Sequence, residues 1–196
     1  MKITVIGYGI QGRAQALNLR DSGHEVVIAN RKDKYLNQAV EDGFDVISIE
    51  ESIIDSEVIF LLIPDAVQNE ILTDFIFPNI SEGSSIVFAH GYWLNYESDN
   101  MPKNINVFMI APRFPGEQIR QTYLMDGGVP AYVDIVQDYS GNGTCNPNAL
   151  TASFAYLQIV CDETQQQVYS YANVDTGSNT DLYHMNMICD LTEGAW

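Results

Sequence analysis

The sequence predicts an α/β protein: a Rossmann-type, doubly wound, mostly parallel sheet followed by a short, mainly helical C-terminal appendage. Two observations carry this. Strand-like and helix-like segments alternate along the first two thirds of the chain, the pattern of parallel strands joined by right-handed crossovers. Between the first strand and the first helix stands a glycine-rich turn, Gly7-Tyr8-Gly9-Ile10-Gln11-Gly12.

The elements follow in order. Residues 2–7 read as a buried strand, and residues 10–21 as a helix with Ala14, Leu17 and Leu19 among its apolar positions, closed by Ser22-Gly23. Residues 25–29 form a second β-rich run, and residues 33–42 a helix that stops at Gly43. A fully apolar strand over 58–63 ends at Pro64, and residues 66–76 are helical. Further strands are expected over 85–89 and 106–111. Beyond the turn-rich Ser140-Gly141-Asn142-Gly143-Thr144 the texture changes. Helices are expected over 147–160 and 179–191, with an edge strand over 167–174. The predicted division is a nucleotide-binding domain over 1–143 and a C-terminal helical, dimer-forming segment over 144–196.

Bulk properties bound the function. The net charge of −17 argues against a nucleic-acid partner. No apolar run is long enough to span a membrane, and the N-terminus lacks a signal-peptide pattern, so a cytoplasmic enzyme is expected. Cys145, Cys161 and Cys189 are widely spaced and odd in number, which suits buried thiols rather than a disulfide framework or a zinc site. All Lys and Arg residues lie at or before Arg120, and three of them crowd into Arg31, Lys32 and Lys34. In so acidic a chain that cluster is a candidate anion site, or else a solvated helix start.

The glycine turn has a steric logic: a tight bend, a close backbone approach to a pyrophosphate, and close helix–strand packing at Gly7, Gly9 and Gly12. The following helix turns its N–H groups and positive dipole towards that anion. At the end of the second strand an NAD enzyme usually places an acidic residue. Here Ala29-Asn30-Arg31-Lys32 stands, and Arg31 with Lys32 suits a 2′-phosphate, so NADPH is the expected cofactor. Ile63-Pro64-Asp65 and Ala89-His90-Gly91 fall at strand ends, where ligands of such sheets sit. His90 suits a residue that orients the nicotinamide or shuttles a proton; the alternative is a histidine that only bonds its loop.

Taken together, Ile6–Ala14 of the turn, Leu17-Asn18-Leu19-Arg20-Asp21-Ser22-Gly23, Ile63-Pro64-Asp65-Ala66-Val67-Gln68, Phe88-Ala89-His90-Gly91, Ala111-Pro112-Arg113-Phe114-Pro115-Gly116 and Gly127-Gly128-Val129-Pro130-Ala131 resemble ketol-acid reductoisomerase in its N-terminal NADPH-binding domain. The resemblance covers residues 1–141. It implies cofactor contacts at Tyr8, Gly9, Ile10 and Gln11, at Arg31, at Asp65 through Gln68 and at Gly116, and an active-site histidine at His90. Arg113 stands where a lysine is usual and is the candidate substrate-binding cation.

The C-terminal third departs from that family. Thr180-Asp181-Leu182-Tyr183 is its one echo, and the family's second magnesium-binding carboxylate is replaced by Met185, a poor ligand for a hard cation. No metal site is therefore expected, and the metal-dependent rearrangement is expected to be lost while hydride transfer remains. Three readings compete. The first is an NADPH-dependent reductase of a small C=N or C=O substrate, with an imine or iminium favoured by the acidic tail, Asp181 and His90 as catalytic candidates, and a homodimer completing the pocket. Arg113 and Arg120 pull instead towards a carboxylate substrate. The second is the parent activity completed by another chain, and the third a non-catalytic NADPH-binding module.

Overall fold

In a computed structural model of the protein, residues 2–139 are described. The strands are β1 (Lys2–Ile6), β2 (Glu25–Ala29), β3 (Asp45–Ile47), β4 (Val58–Leu61), β5 (Ser85–Phe88), β6 (Asn106–Pro112) and β7 (Ala131–Gln137). The helices are α1 (Ile10–Asp21), α2 (Lys34–Glu41), α3 (Ile49–Ile53), α4 (Asp65–Ile71), α5 (Tyr92–Tyr96) and α6 (Gly116–Leu124). The strands form one sheet in the order β3-β2-β1-β4-β5-β6-β7. Neighbours are parallel except β7, which runs antiparallel to β6 from Pro112↔Ala131 to Val107↔Gln137.

The order dictates the layers. Moving outward from β1 through β2 to β3, right-handed crossovers put α1 and α2 on one face. Reversal to β4 and beyond puts α3, α4 and α5 on the other. The two cores match: Ile3, Val5, Leu19, Ala39, Phe60 and Ile119 on the α1–α2–α6 side, and Ile6, Ile53, Ile59, Leu72, Ile86 and Trp93 on the α3–α4–α5 side. All four side chains of β4 and of β5 are buried, as a strand covered on both faces requires. The buried Thr4 hydroxyl donates to Ser52 O at 2.6 Å and accepts from Ser56 Oγ at 3.0 Å, so β1 carries no orphan polar group.

Helix ends follow local chemistry. Gly23, at φ +88, lets the chain leave α1 with Gly23 N–H on Arg20 O and His24 N–H on Leu19 O. Asp33 caps α2 by accepting from Tyr35 N–H. After Ile71 a single wide turn over Leu72–Ile76 continues α4.

Several expectations are adjusted. The first strand stops at Ile6, one residue before its anticipated end, and the fourth at Leu61, two residues before, leaving Gly7 and residues 62–63 to the loops at the carboxyl edge of the sheet. The three-residue β3, α3, α5, α6 and the antiparallel β7 are additions to the predicted order. The boundary at 143–144, the helices over 147–160 and 179–191, the strand over 167–174, Asp181 and the dimer-forming tail lie outside the described residues. Among the described residues, no helix is long and apolar enough to cross a membrane.

Candidate nucleotide-binding and active site

The strand order reverses between β1 and β4, and the loops at their carboxyl ends, 7–9 and 62–64, meet there. Gly7 sits at φ +97, and a methyl group on it would lie 2.6 Å from Leu62 O; only glycine allows the two loops to touch. A methyl group on Gly12 would lie 1.9 Å from Gly7 O, which locks α1 down on the end of β1. Gly9 differs. A methyl group there would meet no atom of the described residues within 4 Å, so none of them requires a glycine. Gly9 is the N-cap of α1 and supplies no side-chain acceptor to the first helical N–H groups. The result is an open cradle over uncapped N–H donors, the geometry that receives a phosphate.

The other expected residues fall into distinct roles. Tyr8 brings only main chain to the turn: its ring is fully buried against Phe44, its hydroxyl donates to Asp42 Oδ2 at 2.9 Å, and its N–H is held by Asn30 Oδ1 at 2.9 Å. Burial first, and the Asp42 carboxylate second, push its phenol pKa up. Asn30 is a staple between the two loops, since its amide also donates to Arg31 O and Asp33 Oδ1. Gln11 Nε2 donates to Phe114 O at 3.1 Å, tying α1 to the β6–α6 loop. Gly116 is buried there because a methyl group would fall 2.1 Å from Ile10 O. Ile10 itself is exposed at the rim of the cradle.

Arg31 and Lys32 are exposed on the β2–α2 loop. A residue passed over in the sequence, Asp33, stands in contact with Arg31, its Oδ2 accepting from Arg31 Nε at 2.9 Å. The legible signal was an Asp immediately before a helix, the position of an N-cap.

Across the switch point, Ile63 and Pro64 lead into Asp65, the first residue of α4, and Ala89 leads into His90 after β5. His90 Nδ1 lies 3.3 Å from Asp65 Oδ2 and 3.3 Å from the Tyr92 N–H. Asp65 Oδ1 accepts from Gln68 Nε2, which also donates to Ile63 O. Gln68 Oε1 is buried without a partner among the described residues. On α5, which follows His90, Tyr92 and Tyr96 stand exposed with ring centres 5.2 Å apart.

The cations separate. Arg113 is exposed, with its guanidinium over the Tyr132 ring at 4.8 Å. Arg120, expected to help bind a carboxylate, is corrected: Nη1 donates to Asn18 Oδ1 at 2.8 Å and Nη2 pairs with Asp21, at the far end of α1 from Gly9. It fastens α6 to α1. A groove of about 470 Å³ runs between α1, α2 and α6 with Arg13, Tyr35 and Gln121 in its walls. Its upper end reaches Gly9 and Gly116, but neither His90 nor Asp65 lines it. Among the described residues, no group of three or more His, Cys, Asp or Glu side chains is placed to hold a metal.

Known proteins match this arrangement. The family model "Acetohydroxy acid isomeroreductase, NADPH-binding domain" covers residues 1–159. A ketol-acid reductoisomerase (NADP(+)) of Pyrobaculum aerophilum is 50% identical over 141 residues, which are 71% of this chain and 43% of that one. The solved NADH-preferring ketol-acid reductoisomerase from an uncultured archean superposes with a TM-score of 0.74 at 33% identity, covering 90% of this chain and 57% of its own. An imine reductase from Pseudomonas sp. shares 21% identity over 60% of this chain and 43% of its own, with a TM-score of 0.50, a likeness of fold alone. The chain thus spans less than half the length of the curated relative it matches. The family model, matched over most of the sequence, makes this chain a member of the acetohydroxy acid isomeroreductase NADPH-binding domain family.

Proposed function

We propose that this chain binds NADPH and forms the hydride-transfer half of a reductase acting on a small C=O or C=N group. The observation that carries the reading is the open cradle at Gly9: a glycine that no neighbour among the described residues requires, above uncapped helix N–H groups, at the switch point of the sheet. The bound cofactor supplies the hydride. The protein's own groups do the rest. The first turn of α1 receives the pyrophosphate, Arg31 and Lys32 supply positive charge to the adenosine end, and Gln68 Oε1 is an acceptor for a donor entering the cleft.

His90 is the candidate proton donor to the reduced group. The donating form is the imidazolium: Nε2 gives up its proton, and the neutral ring left behind keeps its other proton on Nδ1, which faces Asp65 Oδ2. In the other neutral tautomer the bare Nδ1 accepts the Tyr92 N–H.

Two substrate readings follow from charge. The absence of Lys and Arg beyond Arg120, against nine acidic residues there (Asp126, Asp134, Asp138, Asp162, Glu163, Asp175, Asp181, Asp190 and Glu193), favours a cationic iminium. The exposed guanidinium of Arg113 favours a 2-keto acid. The test is NADPH oxidation, followed by loss of nicotinamide absorbance, against cyclic imines and 2-keto acids with Mg²⁺ and with EDTA. Turnover indifferent to EDTA supports the proposal. Turnover of acetolactate only with Mg²⁺ replaces it with the isomeroreductase reaction, which needs a metal to polarise the ketol oxygens. NADPH binding with no turnover of any substrate leaves a nucleotide-binding module.

A further inference from the structure

Helix α4 and the segment from β5 into α5 are tied at two levels. At the carboxyl edge of the sheet Asp65 meets His90. One helical turn further along α4, Asn69 Oδ1 accepts from the indole Nε1–H of Trp93 at 3.1 Å. Asp65 and Asn69 stand four residues apart and so share a face of the helix. Trp93 follows His90 by three residues, in the first turn of α5. Its indole is 1% exposed and stacks on Phe88, with ring centres 5.5 Å apart and planes 9° from parallel; Phe77 meets it edge-on at 5.8 Å. Phe88 is the last residue of β5, so the ring is seated on the sheet. A buried indole N–H needs an acceptor, and Asn69 supplies it. Asn69 itself is an exposed residue, so this bond rather than buried packing fixes its amide.

The two partners of His90 Nδ1 differ in origin. The Tyr92 N–H belongs to the same short segment, two residues on, and travels with the ring. Asp65 comes from α4, so its distance from the ring depends on how α4 sits against β5 and α5. Resting on the hydride-transfer reading above, we propose that Asn69 and Trp93 are positioning residues: their hydrogen bond holds Asp65 against His90 and so sets which ring nitrogen carries the proton. With Asp65 in place, the neutral ring left after Nε2 has given up its proton keeps the other on Nδ1, facing the carboxylate. With the bond broken, α4 is released from the indole and the Tyr92 N–H is left as the nearer partner. The balance then moves to a bare Nδ1 and a proton on Nε2. Donation from such a site leaves an Nδ1–H without its acceptor, and proton transfer slows.

Two variants of the full chain break the bond from opposite sides. Trp93→Phe keeps a buried ring on Phe88 and removes the donor. Asn69→Leu, at an exposed helix position, removes the acceptor. Melting curves report that each is folded. The first readout needs no substrate: long-range proton–nitrogen NMR of histidine-labelled protein in mildly alkaline buffer, with His90 assigned by its loss in His90→Ala. In both variants the His90 ring is expected to move towards the tautomer protonated on Nε2. The second readout is kcat on whichever substrate is turned over. It should fall about tenfold in each variant, with the NADPH Kd within about twofold of wild type. In an Asp65→Asn background the same substitutions should lower kcat by less than about twofold more, since the carboxylate they position is already gone. A purely structural role predicts the same factor in both backgrounds. An unchanged His90 tautomer in both variants, or a loss in the Asp65→Asn background as large as in the wild type, overturns the inference. A wild type that turns over no substrate overturns the reductase reading, and the tautomer then decides the inference by itself.

Discussion

His90 Nδ1 sits 3.3 Å from Asp65 Oδ2, across the gap between the loops that follow β4 and β5. The same nitrogen lies 3.3 Å from the Tyr92 N–H, and one ring nitrogen cannot accept from an amide and donate to a carboxylate at once. The two partners therefore favour different placements of the proton on one ring, a bare Nδ1 for the Tyr92 N–H and a protonated Nδ1 for Asp65. Replacing His90 with Ala removes that ring. The expected result, on whichever substrate of the panel is turned over, is a fall in kcat of about 10²-fold or more with the NADPH Kd within about threefold of wild type. Asp65→Asn keeps the shape and removes the charge, and is expected to lower kcat by about tenfold. Steady-state kinetics with a separate fluorescence titration check both, and unchanged kcat in both variants removes the pair from the site.

Gly9 and Gly12 are three residues apart and make opposite predictions. A Cβ at Gly9 enters open space, so Gly9→Ala should melt within about 2 °C of wild type, since no packing is disturbed. It should weaken NADPH binding by about tenfold or more, because the methyl group stands where the phosphate approaches. A Cβ at Gly12 collides with Gly7 O, so Gly12→Ala should lower stability by about 1–3 kcal/mol, the cost of overpacking. Thermal melts set beside nucleotide titrations separate the two. A Gly9→Ala protein that binds NADPH as tightly as wild type shows that the cradle is not the phosphate site.

Asp42 links α1 to the end of α2. Its carboxylate accepts from Arg13 Nε at 2.6 Å and Arg13 Nη2 at 3.0 Å, and from the buried Tyr8 hydroxyl. Asp42→Ala strands that hydroxyl and should cost about 2–3 kcal/mol. The Arg13 hydrogen bond, acting against burial, holds the Asp42 carboxyl below the ordinary carboxylate range. A carboxyl with a depressed folded pKa contributes stability that is complete above its unfolded pKa, about 3.9, and is lost as pH falls through the lower folded value. Chemical denaturation from neutral to acidic pH should show this loss in the wild type, and Asp42→Asn should flatten that part of the curve. An identical acid limb in the variant would place the linkage elsewhere.

What the sequence revealed and what it hid differ in kind. The strands β1, β2, β4, β5 and β6 were legible because each is a run of apolar residues bounded by a turn, and α1 because a glycine pattern opens it and Ser22-Gly23 closes it. The three-residue β3 offered too short a period. The alternation of β7 was masked by the glycines and proline just before it. The side-chain assignments were less legible. Tyr8 belongs to the glycine turn in sequence, yet the positive φ of Gly7 sends its ring into the core, a direction no spacing reveals. Asp33 was absorbed into a helix, where a cap and a charge partner look alike. Arg120 read as a free cation because its partners, Asn18 and Asp21, lie about a hundred residues earlier in the chain.

That last residue yields a prediction about substrate. Arg120 is the cation of α6 most easily mistaken for a carboxylate anchor. Its guanidinium is engaged by Asn18 and Asp21 and rests over the Tyr123 ring at 5.6 Å, with the side chain only 20% exposed. A cation so held is a structural clasp between α6 and α1. Arg120→Ala should cost about 1–2 kcal/mol, between the worth of an exposed pair and that of a charged hydrogen bond. In a chain of this size the melting point should fall by about 3–6 °C. The KM for a 2-keto acid should stay within about twofold, because losing a clasp remote from Gly9 removes no contact made in the transition state. Arg113→Ala should do the reverse. Its guanidinium is exposed above Tyr132, so the melting point should hold while KM for a keto acid rises about tenfold, the cost of one charged hydrogen bond to a carboxylate. Melting curves and KM values for the two variants decide the assignment, and a keto-acid KM that rises with Arg120→Ala and not with Arg113→Ala would reverse it.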